Sequence, residues 1–274
     1  RLGLKDFDPC TILLNNDLTA GVPRSLQNLH EQYLLPPLHA GWSVRRKSRH
    51  FQSYEEVAKK FAKLLGMDPW LITPVHAGAP DARLDTPAGL DALRGHVDAV
   101  LGKVRRKYKE YGINEKPFVV VKADNAAGAG ILTVRDLREL DDPARLLASR
   151  TGLVREGETL TELIVQEGVA THERIHDAVA EPAAVMIDRY VVGGFYRVHA
   201  ERSTDEALAA PGSRYVPLAF AGSTQLPKPG AKPGASAPNR FYMYGVIGRL
   251  AMLAASYELE QTDPNAEALE AETA

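Results

Sequence analysis

The chain has 274 residues, 45% of them apolar, with 33 Lys+Arg against 35 Asp+Glu and a formal net charge of -2. That length supplies a core for one large or two moderate domains, and the near balance of charge gives no basic field to attract nucleic acid. The single cysteine, Cys10, excludes an intrachain disulfide framework and a cysteine-rich zinc module and suits a reducing cytoplasm. With no initiator methionine and no charged-then-apolar leader, the sequence reads as a fragment or processed product without a signal peptide.

Thr11 to Leu14 predicts a short buried strand ending in the polar turn Asn15-Asn16-Asp17, followed by Gly/Pro punctuation through Pro36-Pro37. From Ser53 a helix is signed by the capping-box pair Ser53 and Glu56 and by Tyr54, Val57, Phe61, Leu64 and Leu65 at helical spacing, with Gly66 as its stop. A second helix is predicted from about Pro87 to Tyr111, its apolar stripe running from Leu90 to Tyr108. The basic cluster Lys103 to Lys109 near its end reads as a solvated face that complements the helix dipole.

Phe118 to Lys122 predicts a strand that opens into the small-residue loop Asp124 to Gly130. A lysine at a strand end, before a loop whose backbone can approach a ligand, is one way to hold nucleotide phosphates, although a tight turn gives the same pattern. A short helical stretch to about Ser149 follows, then strands near 162–166 and 184–192, so helices and strands mix throughout. Gly193-Gly194 predicts the turn of a hairpin, a register that sets Asp188, Tyr190, Arg197 and His199 on one face. Gly222 to Pro238 predicts a flexible covering loop, residues 240–260 a core helix whose charges argue against a membrane span, and Gln261 onward a disordered acidic tail.

Two chemistries are set aside. His172-Glu-Arg-Ile-His176 matches a zinc-hydrolase pattern, but the segment is short, bounded by Gly168 and Pro182, and lacks a long apolar helix to carry it. No Gly-x-Ser-x-Gly elbow supports a serine nucleophile.

The ordered series is more informative: Lys47 before a helix ending Leu64-Leu65-Gly66, Lys122 with its loop, Val165-Gln166-Glu167-Gly168-Val169, Asp188-Arg189 and Arg197. That order resembles the ATP-grasp superfamily. Longer strings, Leu14-Asn-Asn-Asp-Leu-Thr-Ala-Gly21, Pro36-Pro-Leu-His-Ala-Gly-Trp42, Arg45-Arg-Lys-Ser48, Met186 to His199 and Pro238 to Gly245, resemble the proteobacterial glutamate–cysteine ligase of the ATP-grasp type over about residues 8 to 263. Two features differ from that family: the chain is shorter at its amino terminus, and Asn125 to Gly130 is a shorter, glycine-poorer loop.

The resemblance implies an α+β or α/β chain in the ATP-grasp fold, with nucleotide held between two α+β subdomains. It implies residues 1–45 as the end of a substrate subdomain, 46–260 as the nucleotide-binding and catalytic region, and 261–274 as the tail. It implies ATP and Mg²⁺ as cofactors, glutamate and cysteine as substrates, a cytoplasmic enzyme with no nucleic-acid or membrane partner, and leaves self-association open. In that frame Lys47 and Lys122 bind phosphates with the amides of Gly128 and Gly130, while Gln166, Glu167 and Val169 form the adenine–ribose hinge. Arg197 contacts the transferred phosphate, Asp188 and Asn239 take magnesium or its water shell, and Asn15, Asn16, Asp17 and Arg46 touch the amino-acid substrate. Two alternatives stand beside it: an ATP-grasp ligase for another acid and amine, and a degenerate nucleotide-binding homologue without catalysis.

Overall fold

The computed structural model describes residues 1–16, 18, 21–29, 31–41, 44–125, 132–155, 158–159, 162–218 and 240–264. In chain order the first elements are β1 (Thr11–Leu13), α1 (Arg24–Gln27), β2 (Tyr33–Leu35), α2 (Lys47–Leu65), β3 (His76–Ala79) and α3 (Pro87–Glu110). They are followed by β4 (Val119–Ala123), β5 (Leu132–Val134), α4 (Pro143–Leu153), β6 (Val154–Arg155), β7 (Glu158–Thr159) and β8 (Leu163–Glu167). The last are β9 (Arg174–Ile175), β10 (Ala178–Ile187), β11 (Tyr190–His199), β12 (Arg214–Pro217) and α5 (Arg240–Thr262). The chain is therefore mixed α and β, and it divides into two compact units. The first holds Arg1–Ser53, Val75–Gln166 and Ser256–Ala274; the second holds Tyr54–Pro74 and Glu167–Ala255.

The core of the first unit is a four-stranded sheet in the order β3-β8-β4-β5, with β3 antiparallel to β8 and β4 antiparallel to β5. Alternation along β4 buries Val119, Val121 and Ala123 in a cluster with Leu93, Val97, Val100, Leu101 and Val104 of α3. One sheet face is thus sealed by the apolar stripe of α3, as its periodicity predicts, and Thr86 caps that helix by accepting from the Gly89 amide at 3.2 Å. By the same alternation, Val120 and Lys122 of β4 take the other face, with His76 and Gly78 of β3 and Ile164 and Gln166 of β8. The first turn of α2 packs there, with a Cβ on Gly78 falling 3.4 Å from the Ser48 Cβ and the Phe51 and His76 rings 5.4 Å apart.

The amino-terminal strand is not buried. Among the described residues β1 pairs only with β2, in parallel, and Leu13 is 77% exposed. The helix predicted from Ser53 begins at Lys47 instead, which leaves Ser53 a buried interior residue and not a cap. Gly66 does end it, with φ +65.

In the second unit, the antiparallel sheet β12-β11-β10-β9 buries Ala180, Tyr196, Val198 and Leu218 together. Its long hairpin closes at Asp188-Arg189, between the paired Ile187 and Tyr190, and not at Gly193-Gly194. Asp188 takes φ +51, a conformation that aspartate tolerates, and this turn lets β10 pair with β11 along nine residues, with a bulge between Val185 and Met186. Gly193 and Gly194 lie inside β11, opposite Val185 and Ala184. Arg197 and His199 keep a common face by alternation, and the bulge returns Tyr190 to it, since the Ile187–Tyr190 pair lies six residues along β10 from the Glu181–Arg197 pair; Asp188 lies in the turn instead. The amino-terminal part of α5 lies against this hairpin: a Cβ on Gly248 would run into the thioether end of Met186, so a larger residue there requires that flexible side chain to shift. Among the described residues no helix is long and apolar enough to cross a membrane.

Candidate active site

The first turn of α2 is anchored by the end of β4. Helix starts leave amide donors without partners, and Asp124 supplies them from 76 residues away: its carboxylate accepts from the Ser48 amide at 2.7 Å and the Ser48 hydroxyl at 2.6 Å, and its carbonyl accepts from the Lys47 amide at 3.0 Å. The Lys47 ammonium donates to the Ala123 carbonyl at 2.6 Å. One residue earlier, Lys122 donates to Gln166 Oε1 at 3.1 Å across the sheet face opposite α3. Lys47, Lys122 and Gln166 therefore gather around the carboxyl end of β4 and its neighbour β8, a cationic arrangement of the kind that holds an anion. Asn125 follows, its side-chain oxygen buried with no hydrogen-bond partner among the described residues. Gly128 and Gly130 lie outside the described residues.

Beside this end of the sheet opens a cleft of about 510 Å³, lined by Arg46, Arg49 and Gln52 of the α2 region, by His76 to Pro80, and by Asp124 and Glu162. Arg46 forms an ion pair with Glu162, whose backbone carbonyl also accepts from the Asp124 amide at 2.9 Å. Arg45 turns elsewhere, to Glu258, with Nε to Oε1 at 3.0 Å and a terminal nitrogen to Oε2 at 2.6 Å, while His50 Nδ1 lies 3.1 Å from Oε2. Burial would raise the Glu258 pKa, but the hydrogen bonds from His50 and Arg45 and their charges outweigh it and hold the carboxyl down at about 2. Asn15 and Asn16 are exposed beyond β1, where Asn16 accepts from the Leu18 amide at 2.8 Å; Asp17 lies outside the described residues.

In the second unit the Glu167 side chain alternates away from Gln166, is 5% exposed, and accepts the Trp70 indole N–H at 3.1 and 3.0 Å. Val169 is exposed. Arg197 pairs across the hairpin with Glu181 and not with Asp188, and its Nε is buried without a hydrogen-bond partner among the described residues. A buried guanidinium N–H left unmatched is costly, and an oxyanion would complete it. Asp188 is exposed and 3.8 Å from Arg189, Asn239 lies outside the described residues, and no cluster of three metal-type side chains occurs among the described residues. His172 and His176 flank the two-residue strand β9, with His176 at φ +47, so no helix carries the zinc-like pattern. His199 is a structural staple: its Nδ1 accepts from the Glu201 amide at 3.2 Å, and its Nε2 lies 2.9 Å from the Pro211 carbonyl.

A family model for glutamate-cysteine ligase matches residues 1–259. The chain belongs to the glutamate-cysteine ligase family. It is similar to a crystal structure from Methylobacillus flagellatus KT, described as a γ-glutamylcysteine synthetase, at 47% identity and a TM-score of 0.80. The match covers 96% of this chain and 62% of that one, so the chain spans less than two thirds of its solved relative. No curated protein matches.

For a glutamate-cysteine ligase family member, the cationic donors suit ATP: Lys47 and Lys122 at one strand end, and an arginine with an orphaned buried N–H. Magnesium has no comparable described donor set. Asp124, Glu162, Glu181 and Trp70 were not singled out from sequence as part of this arrangement. Each acts through a partner distant along the chain, and only the position of Asp124 just after the strand-end lysine offered a local signal.

Proposed function

We propose that this chain catalyses ATP-dependent joining of glutamate to cysteine, forming γ-glutamylcysteine on an ATP-grasp fold in the cytoplasm. The family match over residues 1–259 carries the reading, and the cations around β4 support it. ATP supplies the phosphoryl group that activates the γ-carboxylate; the amine of cysteine then displaces phosphate, so no protein nucleophile is required and Cys10 stays out of the chemistry. Lys47 and Lys122 neutralise the phosphates, with Gly128 and Gly130 assisting through their amides, and Arg197 meets the transferred phosphate. Gln166 serves adenine through its side chain, while Glu167, whose carboxylate is held by Trp70, serves through its backbone, as does Val169. Arg46 and the Asn15-Asn16-Asp17 turn belong to the amino-acid site. Mg²⁺ at Asp188 and Asn239 remains a proposal to which no step is tied. The division at residues 45 and 260 is kept on the same footing.

The test is ADP release by the purified chain with Mg·ATP, with glutamate and cysteine supplied together and each omitted. ADP that appears only with both, alongside γ-glutamylcysteine, is the expected result. Release with another acid and amine would move the reading to a related ligase, and ATP bound without turnover would make the chain a nucleotide-binding homologue.

A further inference from the structure

Four cations fall within the five residues Arg45 to Arg49, where α2 begins. Cations at this end of a helix oppose its dipole, so each calls for compensation. Arg45 has Glu258, Arg46 has Glu162, and the Lys47 ammonium has the Ala123 carbonyl. Among the described residues, the Arg49 guanidinium has no hydrogen bond or ion pair. It lines the cleft of about 510 Å³, with Gln52 one turn along the same helix and the outer strand β3 across from it. The cleft is a preformed concavity with a few convergent polar groups, which is the usual form of a small-molecule site.

Its charge is mixed. Arg49 and Arg46 bring positive groups; the Glu162 carboxylate, 42% exposed, brings a negative one, and so does Asp124, whose carboxylate is already engaged by the Ser48 amide and hydroxyl. A polyphosphate would meet these carboxylates unfavourably, whereas a zwitterion can place an oxyanion on Arg49 and an ammonium beside Glu162. The lining also connects to the strand-end cations: His76 stands directly opposite Gln166, which accepts from Lys122 on that sheet face. We propose that this cleft binds a free dicarboxylic α-amino acid, with one carboxylate on Arg49, Gln52 beside it, and the second carboxylate directed along the sheet face toward Lys122. This rests on the ligase reading and names the site of its acid substrate.

The test is equilibrium dialysis of radiolabelled glutamate and, separately, of Mg·ATP against the wild-type chain, Arg49→Ala and Arg49→Lys. Arg49 has no described partner to lose, so both variants should melt with the wild type. Expected is a glutamate dissociation constant raised at least tenfold in Arg49→Ala and partly restored in Arg49→Lys, with ATP binding within twofold of wild type. Unchanged glutamate binding in Arg49→Ala overturns the assignment while the ligase reading stands. Weakened ATP binding with glutamate unaffected also overturns it, by making the oxyanion a nucleotide phosphate. A wild-type chain that binds neither ligand overturns the ligase reading and this site with it.

Discussion

Lys122 is the residue on which the phosphate assignment depends most, since it reaches out of the buried strand β4 and is steadied by a neutral amide, Gln166 Oε1, at 3.1 Å. Replacing Lys122 with methionine preserves the aliphatic stem and removes the charge. ADP release by Lys122→Met should fall by about 100-fold or more if the ammonium stabilises the transferred phosphoryl group, with little change in the melting midpoint. Activity within twofold of wild type would remove Lys122 from the site. Arg197 makes a contrasting case, because it already pairs with Glu181 and only its buried Nε, without a hydrogen-bond partner among the described residues, is left to meet an anion. Arg197→Lys should therefore lose activity while keeping an ion pair with Glu181, since lysine has no second planar N–H to complete the anion contact. Full activity in that variant would leave the orphan without a functional meaning.

Elements show where local pattern suffices and where it fails. Gly66 ends α2 at φ +65 with nothing within 4 Å of an added Cβ, so Gly66→Ala carries conformational strain alone. A loss of about 1 kcal/mol in urea unfolding is expected, and no loss would mean that the helix end adapts. That stop was legible because it is a property of one residue. The start of α2 was not, because its cap is Asp124, 76 residues away on β4, and the local Ser53-Glu56 pattern fell in a helix interior instead. The hairpin failed for a related reason. Gly193-Gly194 has the stronger local turn propensity, but closing at Asp188-Arg189 pairs β10 and β11 over their full length, and tertiary pairing overrides propensity. The same contrast divides the site: Lys122 and Gln166 stand at recognisable strand ends, whereas Glu162, Glu181 and the Trp70 indole meet partners that lie elsewhere along the chain. Asp124→Ala tests the distant cap, removing acceptors from both the Ser48 amide and hydroxyl. A loss of about 2 kcal/mol is expected, and a loss below 0.5 kcal/mol would show that water replaces the cap.

At the scale of the whole chain, residues 213 apart are tied by charge, since Glu258 near the end of α5 receives both Arg45 and His50 at the start of α2. The carboxylate is 3% exposed, so it is an interior ion rather than a surface pair screened by salt. Its pKa is held at about 2 in the folded chain against an ordinary 4.5, which means that folding favours the ionised form. The stabilisation is fully present above about pH 4.5 and is lost as pH falls through about 2. A shift of that size corresponds to roughly 3 kcal/mol. Glu258→Gln removes the ionisable group and leaves the Arg45 charge without its counter-ion. Urea unfolding should show the variant less stable than wild type by roughly 3 kcal/mol at pH 7, with the gap narrowing between pH 4.5 and pH 2 as the wild-type carboxylate takes up its proton. A gap that stays constant across that window would mean that the substitution acts through packing and hydrogen-bond geometry, and that the Glu258 charge itself contributes nothing to the acid limb of stability.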